Sequence, residues 1–301
     1  VLAITCPGQG AQKSGFLSSF LELDTFSAQI DELQAASGID LRLHGTESDD
    51  ETIKDTALAQ PLLVASAIAC AAELGVTPDV VAGHSVGEIA AAQMAGIFTP
   101  ADAMAFVSVR ADGMAAAAAA TPTGMSAVVG GQPEDVLAAI EAAGASPANV
   151  NGGGQTVAAG SLDALSALDE NPPERARVIP LPVAGAFHTE YMAPATDALA
   201  ATAAELNVSD PQVRILTNSD GSAVAAGRDY VDLLVRQVTN PVRWDLCQET
   251  LLAEGVTGMI ELVPGGTLTG IARRAMKGVE TFAIKSAADI DGAREFAAAH
   301  A

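Results

Sequence analysis

Cysteine is nearly missing from this chain. The three present, Cys6, Cys70 and Cys247, are widely spaced and odd in number, which argues against a disulfide framework or a cysteine-based zinc site. Their scarcity fits a reducing cytoplasm. Basic residues are also few: 15 Lys and Arg face 37 Asp and Glu, for a formal charge of −22. A field of that sign repels phosphate backbones and anionic lipid surfaces, so neither a nucleic-acid nor a membrane partner is expected. Long apolar runs are lacking too, because polar residues interrupt the alanine-rich stretches and none reads as a membrane span. The opening VLAITCPGQG has no basic segment ahead of an apolar one, so no secretory leader is expected. It begins without Met, and a few natural residues are expected to precede it.

What is present is enough apolar material for a substantial core: 49% of 301 residues are hydrophobic. VLAITC at 1–6 reads as a strand ending in a Pro-Gly turn, 16–37 as helix, and the polar 45–55 as solvated loop. Residues 57–75 have helical composition, with Pro61 placed near a first turn, where a missing N–H is harmless. DVVAG at 79–83 reads as a buried parallel strand and 86–96 as the helix after it. Thr99 and Pro100 open another helix that carries Arg110 towards the alanine tract at 115–120. Beyond Thr121-Pro122 the pattern changes to strand 124–130, helix 133–144, strand 150–160, helix 161–170 and strand 176–183. A further α/β rhythm follows, with strand 258–265 leading into the helical LTGIARRAMKG. The expected organisation is a mainly parallel α/β domain, 1–121 and 184–301, interrupted by a smaller domain at 122–183.

GHSVG, residues 83–87, matches the G-x-S-x-G pattern of a nucleophile elbow. Placed between a buried strand and a helix, Ser85 is either an activated hydroxyl or a structural turn serine. Glycines permit the cramped turn, and a helix start aims N–H groups where negative charge would develop. A serine needs a base. Among four histidines, His84 adjoins the serine and points elsewhere, His44 sits beside an acidic loop and His300 lies at the terminus. His188, in GAFH after a strand, is the candidate base. No acidic residue between them has a distinctive setting, so a dyad oriented by a backbone carbonyl or amide stands beside a full triad. PGQGAQ at 7–12 is a second glycine-rich turn; it matches neither a Walker nor a dinucleotide fingerprint. In a parallel sheet it can open onto the same crevice, where the N–H groups of Gln9 and Val86 would face an oxyanion.

PGQGAQ, GHSVGE, Arg110, GAFH at 185–188 and QVTNPVRW at 237–244 occur together and in order. The sequence resembles the malonyl-CoA:acyl carrier protein transacylases over nearly its whole length. The resemblance implies an α/β-hydrolase-like, mainly parallel domain with an inserted ferredoxin-like small domain. It also implies a malonyl-Ser85 intermediate with His188 as general base, and no bound cofactor or metal. Malonyl-CoA would be the donor, and the phosphopantetheine thiol of holo-acyl carrier protein the acceptor. Arg110 would bind the malonyl carboxylate, Gln237 would orient His188, and Asn149 and Asn151 would line the pocket. Phe187 stands where methylmalonyl-selective relatives usually carry serine, and Gly185 where histidine is common. Because the resembled carrier proteins are acidic, Arg273, Arg274 and Lys277 form the expected contact patch; spacing along a helix would group them. The competing class is an esterase or thioesterase, separated by acceptor preference. A non-enzymatic carrier-binding subunit would not acquire an acyl label. A stand-alone enzyme is expected rather than a synthase fragment.

Overall fold

The computed structural model describes residues 1–183 and 185–301. Its strands are β1 (Leu2–Cys6), β2 (Val80–Gly83), β3 (Thr123–Gly130), β4 (Ser146–Gly152), β5 (Gln155–Ser161), β6 (Ala176–Pro180), β7 (Arg214–Ile215), β8 (Val242–Arg243), β9 (Gly258–Glu261) and β10 (Glu280–Ala283). They form two five-stranded sheets, ordered β10-β9-β1-β2-β7 and β6-β3-β5-β4-β8. In the first, every neighbouring pair is parallel. Its central strands β1, β2 and β9 are buried along their whole length, as expected where helices cover both faces. The chain is an α/β protein.

The second sheet is antiparallel within β6-β3-β5-β4, and β8 adds to β4 in parallel. Helices Pro133–Ala142 and Leu162–Glu170 interleave with β3 to β6 in the order βαββαβ. One element here departs from the sequence reading. The single strand expected at 150–160 is a hairpin, because Gly153 and Gly154 both adopt positive φ (55° and 76°) between the paired Gly152 and Gln155. A two-residue loop of that handedness matches strand twist, and the Asn-Gly-Gly-Gly run at 151–154 supplies it. Residues 242–243 supply the fifth strand, and Gln248 Nε2 donates to Asn151 O at 2.7 Å, tying helix Trp244–Ala253 to the second sheet.

Other corrections are local. The first long helix runs Asp24–Ser37 rather than from 16, because Leu23 is extended. Pro61 stands in the second turn of Thr56–Leu74 instead of its first, where the ring leaves the Ala57 carbonyl without its intrahelical donor. Thr56–Leu74 and Pro100–Ala120 are long and apolar enough to cross a membrane, yet 72% and 50% of their most apolar windows are buried within the protein. They are core helices packed on each other and on the sheet. The strand read at 258–265 ends at Glu261, whose carboxylate accepts the N–H groups of Gly266, Leu268 and Thr269 and so caps helix Thr267–Ala275.

Candidate active site

The site forms where β1 and β2 end, at the carboxyl edge of the parallel sheet and facing the second sheet. β2 turns directly into helix Gly87–Met94. The turn is so tight that a Cβ on Gly83 would lie 2.1 Å from the Glu88 nitrogen, and one on Gly87 2.3 Å from the Cys6 carbonyl. No residue but glycine fits either position. Between them Ser85 is forced to φ 53°, the left-handed strain of a nucleophile elbow. Asn218 clamps the turn: its Oδ1 accepts from Ser85 N at 2.8 Å and its Nδ2 donates to Gly83 O at 2.7 Å.

Ser85 Oγ lies 2.7 Å from His188 Nε2. His188 Nδ1–H donates to the main-chain carbonyl of Gln237 at 2.8 Å, which fixes the tautomer and leaves Nε2 free to accept the serine proton. A carbonyl orients the imidazole here. Burial, and then the Arg110 charge, push the His188 pKa down to about 3, so the ring is neutral throughout the physiological range.

Arg110 is 1% exposed, with Nη1 donating to Gln60 Oε1 at 2.5 Å and Nη2 to Gln237 Oε1 at 2.8 Å. Nη2 also lies 3.5 Å from Ser85 Oγ. Both firm partners are amides. Among the described residues no carboxylate pairs directly with this guanidinium. Nη1 therefore keeps one N–H unshared, and the second N–H of Nη2 is engaged only by the long contact to Ser85 Oγ, so the guanidinium retains donors for an arriving carboxylate. Burial lowers its pKa to about 10, and Glu88 acts in the opposite sense; the group stays cationic at neutral pH.

A cavity of about 230 Å³ opens on Ser85, His188 and Gln60, the last of these a partner of Arg110, and is lined by Gln9, Val86, Phe187, Asn149 and Asn151, together with apolar side chains of the second sheet such as Met125 and Val157. The backbone N–H groups of Gln9 and Val86 have no protein acceptor among the described residues, and so are open donors beside the hydroxyl. The Gln9 side chain turns away to Lys54 O and Thr56 Oγ1. Asn151 accepts from His84 Nε2 at 2.8 Å and donates to Gln155 at 3.0 Å. His84 meets Trp244 edge-on at 5.8 Å, which keeps it away from Ser85. Gly185 abuts helix Pro100–Ala120, where an added Cβ would come within 2.6 Å of Ala118 Cβ. That contact explains why no larger side chain stands there.

The structure does not group the three basic residues as helical spacing would. Helix Thr267–Ala275 closes before Lys277. Arg273 Nε turns to Thr281 Oγ1, whereas Arg274 Nε reaches Gly153 O of the opposite sheet at 3.1 Å. Arg274 stands nearer the cavity, since Thr267, Leu268 and Ile271 of the same helix line it. Four residues absent from the sequence reading complete the site: Gln60, Glu88, Asn218 and Tyr230. Glu88 is 1% exposed and accepts from Asn218 N at 2.7 Å, Tyr230 OH at 3.2 Å and Gln237 Nε2. In sequence it reads as an ordinary acid in a helix first turn, which carries no signal of burial. Among the described residues no group of three or more His, Cys, Asp or Glu is placed to hold a metal.

An acyl transferase domain family model matches residues 4–294. The malonyl CoA-acyl carrier protein transacylase of Mycobacterium tuberculosis is 48% identical over 297 residues, covering 97% of this chain and 98% of that protein. A crystal structure of MCAT from the same organism superposes with a TM-score of 0.93 at 48% identity, over 97% of this chain and 98% of that one. A malonyl-transacylase solved in complex with its type II PKS acyl-carrier protein superposes with a TM-score of 0.90 at 29% identity, over 98% and 99% of the two chains.

Proposed function

The chain belongs to the malonyl-CoA:acyl carrier protein transacylase family, and from that premise we propose how its own residues divide the reaction. The enzyme transfers malonyl from malonyl-CoA to the phosphopantetheine thiol of holo-acyl carrier protein. His188 Nε2 takes the Ser85 proton as Oγ attacks the thioester carbon. The resulting oxyanion sits against the N–H groups of Gln9 and Val86, donors fixed before the charge develops. Its collapse breaks the C–S bond, the CoA sulfur leaves with the proton from His188, and malonyl-Ser85 remains. The carrier thiol then gives its proton to His188 and attacks the ester, and the serine is restored.

Arg110 accounts for donor choice. It offers one unshared N–H on Nη1, and on Nη2 one held only by the long contact to Ser85 Oγ, to a terminal carboxylate that acetyl lacks. Phe187 narrows the space around the acyl group, and Asn149 and Asn151 line the path of the pantetheine arm. One methyl in such a pocket is discriminated by about 10–200-fold. Arg273, Arg274 and Lys277 offer positive charge to an acidic carrier protein, with Arg274 one turn beyond the cavity-lining Ile271.

We read the parallel sheet as an α/β-hydrolase-like domain, 1–121 with 184–301, and 122–183 as a ferredoxin-like insert completed by β8; the βαββαβ order supports this. Buried, unpaired cysteines fit a cytoplasmic setting. The observation that carries the reading is the 2.7 Å contact between Ser85 Oγ and a neutral His188 beside a buried guanidinium. Enzyme loaded from labelled malonyl-CoA should hold its label in water and discharge rapidly to holo-carrier protein. Rapid release without a thiol would make it a thioesterase instead.

A further inference from the structure

A second cavity of about 300 Å³, which shares no lining residue with the substrate cavity, is lined by Gln237, Glu88, Arg236 and Asn240. Malonyl transfer as described uses neither this cavity nor the carboxylate. Yet Glu88 and Arg110 are joined through one side chain. The Gln237 amide donates from Nε2 to Glu88 and accepts at Oε1 from Arg110, so Glu88 dictates which end of the amide meets the guanidinium. Three donors converge on this carboxylate. An amide in its place would turn an NH2 towards either Asn218 N–H or Gln237 NH2, a donor against a donor in both orientations.

The surroundings also accommodate a neutral acid. Tyr230 OH has two acceptors within reach, Glu88 Oε1 at 3.2 Å and Leu216 O at 3.3 Å. With the hydroxyl turned to Leu216, its oxygen can accept a proton carried by Glu88, so both charge states keep their hydrogen bonds. The other ionisable groups around Glu88 are few. Arg110 faces it through Gln237, with His188 beyond. Tyr230 and the Cys247 thiol are held neutral chiefly by burial, as is Cys6 on β1. Arg236 and Arg243 line the second cavity, Arg243 already paired with Asp245 at 2.8 Å.

We infer that Glu88 is a positioning residue that sets the Gln237 amide against Arg110, and that, wherever it is ionised, it takes up one proton when a substrate carboxylate reaches the guanidinium. Two carboxylates served by one buried cation cannot both stay ionised without a large penalty. The arriving malonyl group binds Arg110 directly, so Glu88 is the one that yields. Its proton enters from solvent through the second cavity, and product departure returns it. Burial already pushes the Glu88 pKa up to about 8 against the pull of its hydrogen bonds and Arg110. Neutralising Arg110 raises it further. Uptake is therefore small near neutrality, where the acid is mostly protonated beforehand, and approaches one proton above that value.

The inference rests on Arg110 being the malonyl carboxylate site, and the test separates the two. Ser85→Ala enzyme, which binds without reacting, is titrated calorimetrically with malonyl-CoA and with acetyl-CoA, in buffers of different ionisation enthalpy, at about pH 7 and about pH 9. Proton uptake that grows with pH for malonyl-CoA alone, and disappears in Ser85→Ala/Glu88→Gln, supports the inference. Preferential malonyl-CoA binding with no uptake at either pH overturns it while leaving Arg110 in its role. Uptake that persists without Glu88 also overturns it. Equal binding of both donors removes the Arg110 reading, and this inference with it. Should Glu88→Gln fail to fold, infrared difference spectra of Ser85→Ala enzyme labelled with 13C-glutamate read the same event. At about pH 9, a neutral-acid band induced only by malonyl-CoA supports it, and no such band overturns it.

Discussion

On the parallel-sheet side of the cleft each polar group is pinned by another. Arg110 is held by Gln60 and Gln237, Gln237 by Glu88, Glu88 by Asn218 and Tyr230, and Asn218 by the elbow itself. On the second-sheet side, Asn149 lines the cavity with no side-chain hydrogen bond among the described residues, and Met125, Val157 and Leu181 offer only surface. The difference reflects what each wall must recognise. In the proposed reaction a developing oxyanion and a small acyl group with one carboxylate demand groups fixed before the substrate arrives, because reorganising dipoles during the reaction would forfeit the stabilisation they supply. A long, flexible thioester arm is better met by an adaptable apolar wall with a few amides. The rim basic residues lie further along the same gradient, exposed to solvent.

Substitutions on the pinned wall should have large, donor-specific effects, and those at the rim small, acceptor-specific ones. His188→Ala should slow malonyl transfer by about 10²–10⁴-fold; a loss of only a few-fold in single-turnover loading would remove His188 as the base. Arg110→Ala should lower kcat/KM for malonyl-CoA by about 30- to 5,000-fold, equivalent to the roughly 2–5 kcal/mol expected for truncating a buried hydrogen-bonded charge pair. Acetyl transfer should be spared or rise. Equal losses with both donors would show that the guanidinium supports structure and not selection.

The pH dependence sharpens the contrast further. His188 is depressed from an ordinary value near 6.5 to about 3, so the loading rate should stay level from about pH 8 to about pH 5, where an exposed histidine would already have lost activity. The same shift has a stability consequence. Below pH 6.5 the unfolded chain protonates this histidine and the folded one does not, so its contribution is present above that pH and lost as pH falls towards 3. Urea unfolding at pH 7 and about pH 4.5 should therefore show a larger acid loss for the native protein than for His188→Gln. At the rim, Arg273→Glu with Arg274→Glu should raise KM for holo-carrier protein by about 2–10-fold and leave loading from malonyl-CoA unchanged. An unchanged carrier KM would place docking on another surface.

Sequence alone disclosed the parts of this site that depend on local chain geometry. GHSVG between a buried run and a helix announces a tight elbow because only glycine tolerates its contacts, and GAFH after a strand places a histidine at a sheet edge. Arg110 and Gln237 were legible only through resemblance, since a helical arginine and a helical glutamine carry no local mark of burial. Glu88, Asn218, Tyr230 and Gln60 were not legible. Their meaning lies in hydrogen bonds to residues far away in sequence, such as Glu88 to Tyr230, 142 positions on. In the fold, the parallel sheet followed from its apolar runs. The β4–β5 hairpin was legible too, in the Asn-Gly-Gly-Gly run at 151–154, but the sequence reading runs one strand through the segment. Nothing in ARRAMKG marks a stop at Ala275, so the same reading places Lys277 on a helix that ends before it.

The most direct measurement is the mass of the active-site peptide after brief exposure to malonyl-CoA, read in parallel for native enzyme and Ser85→Ala. A single malonyl adduct is expected, confined to the peptide containing Ser85, absent from the variant and removed by holo-carrier protein. An adduct on any other residue, or native-rate malonyl transfer by Ser85→Ala, would contradict the malonyl-Ser85 intermediate.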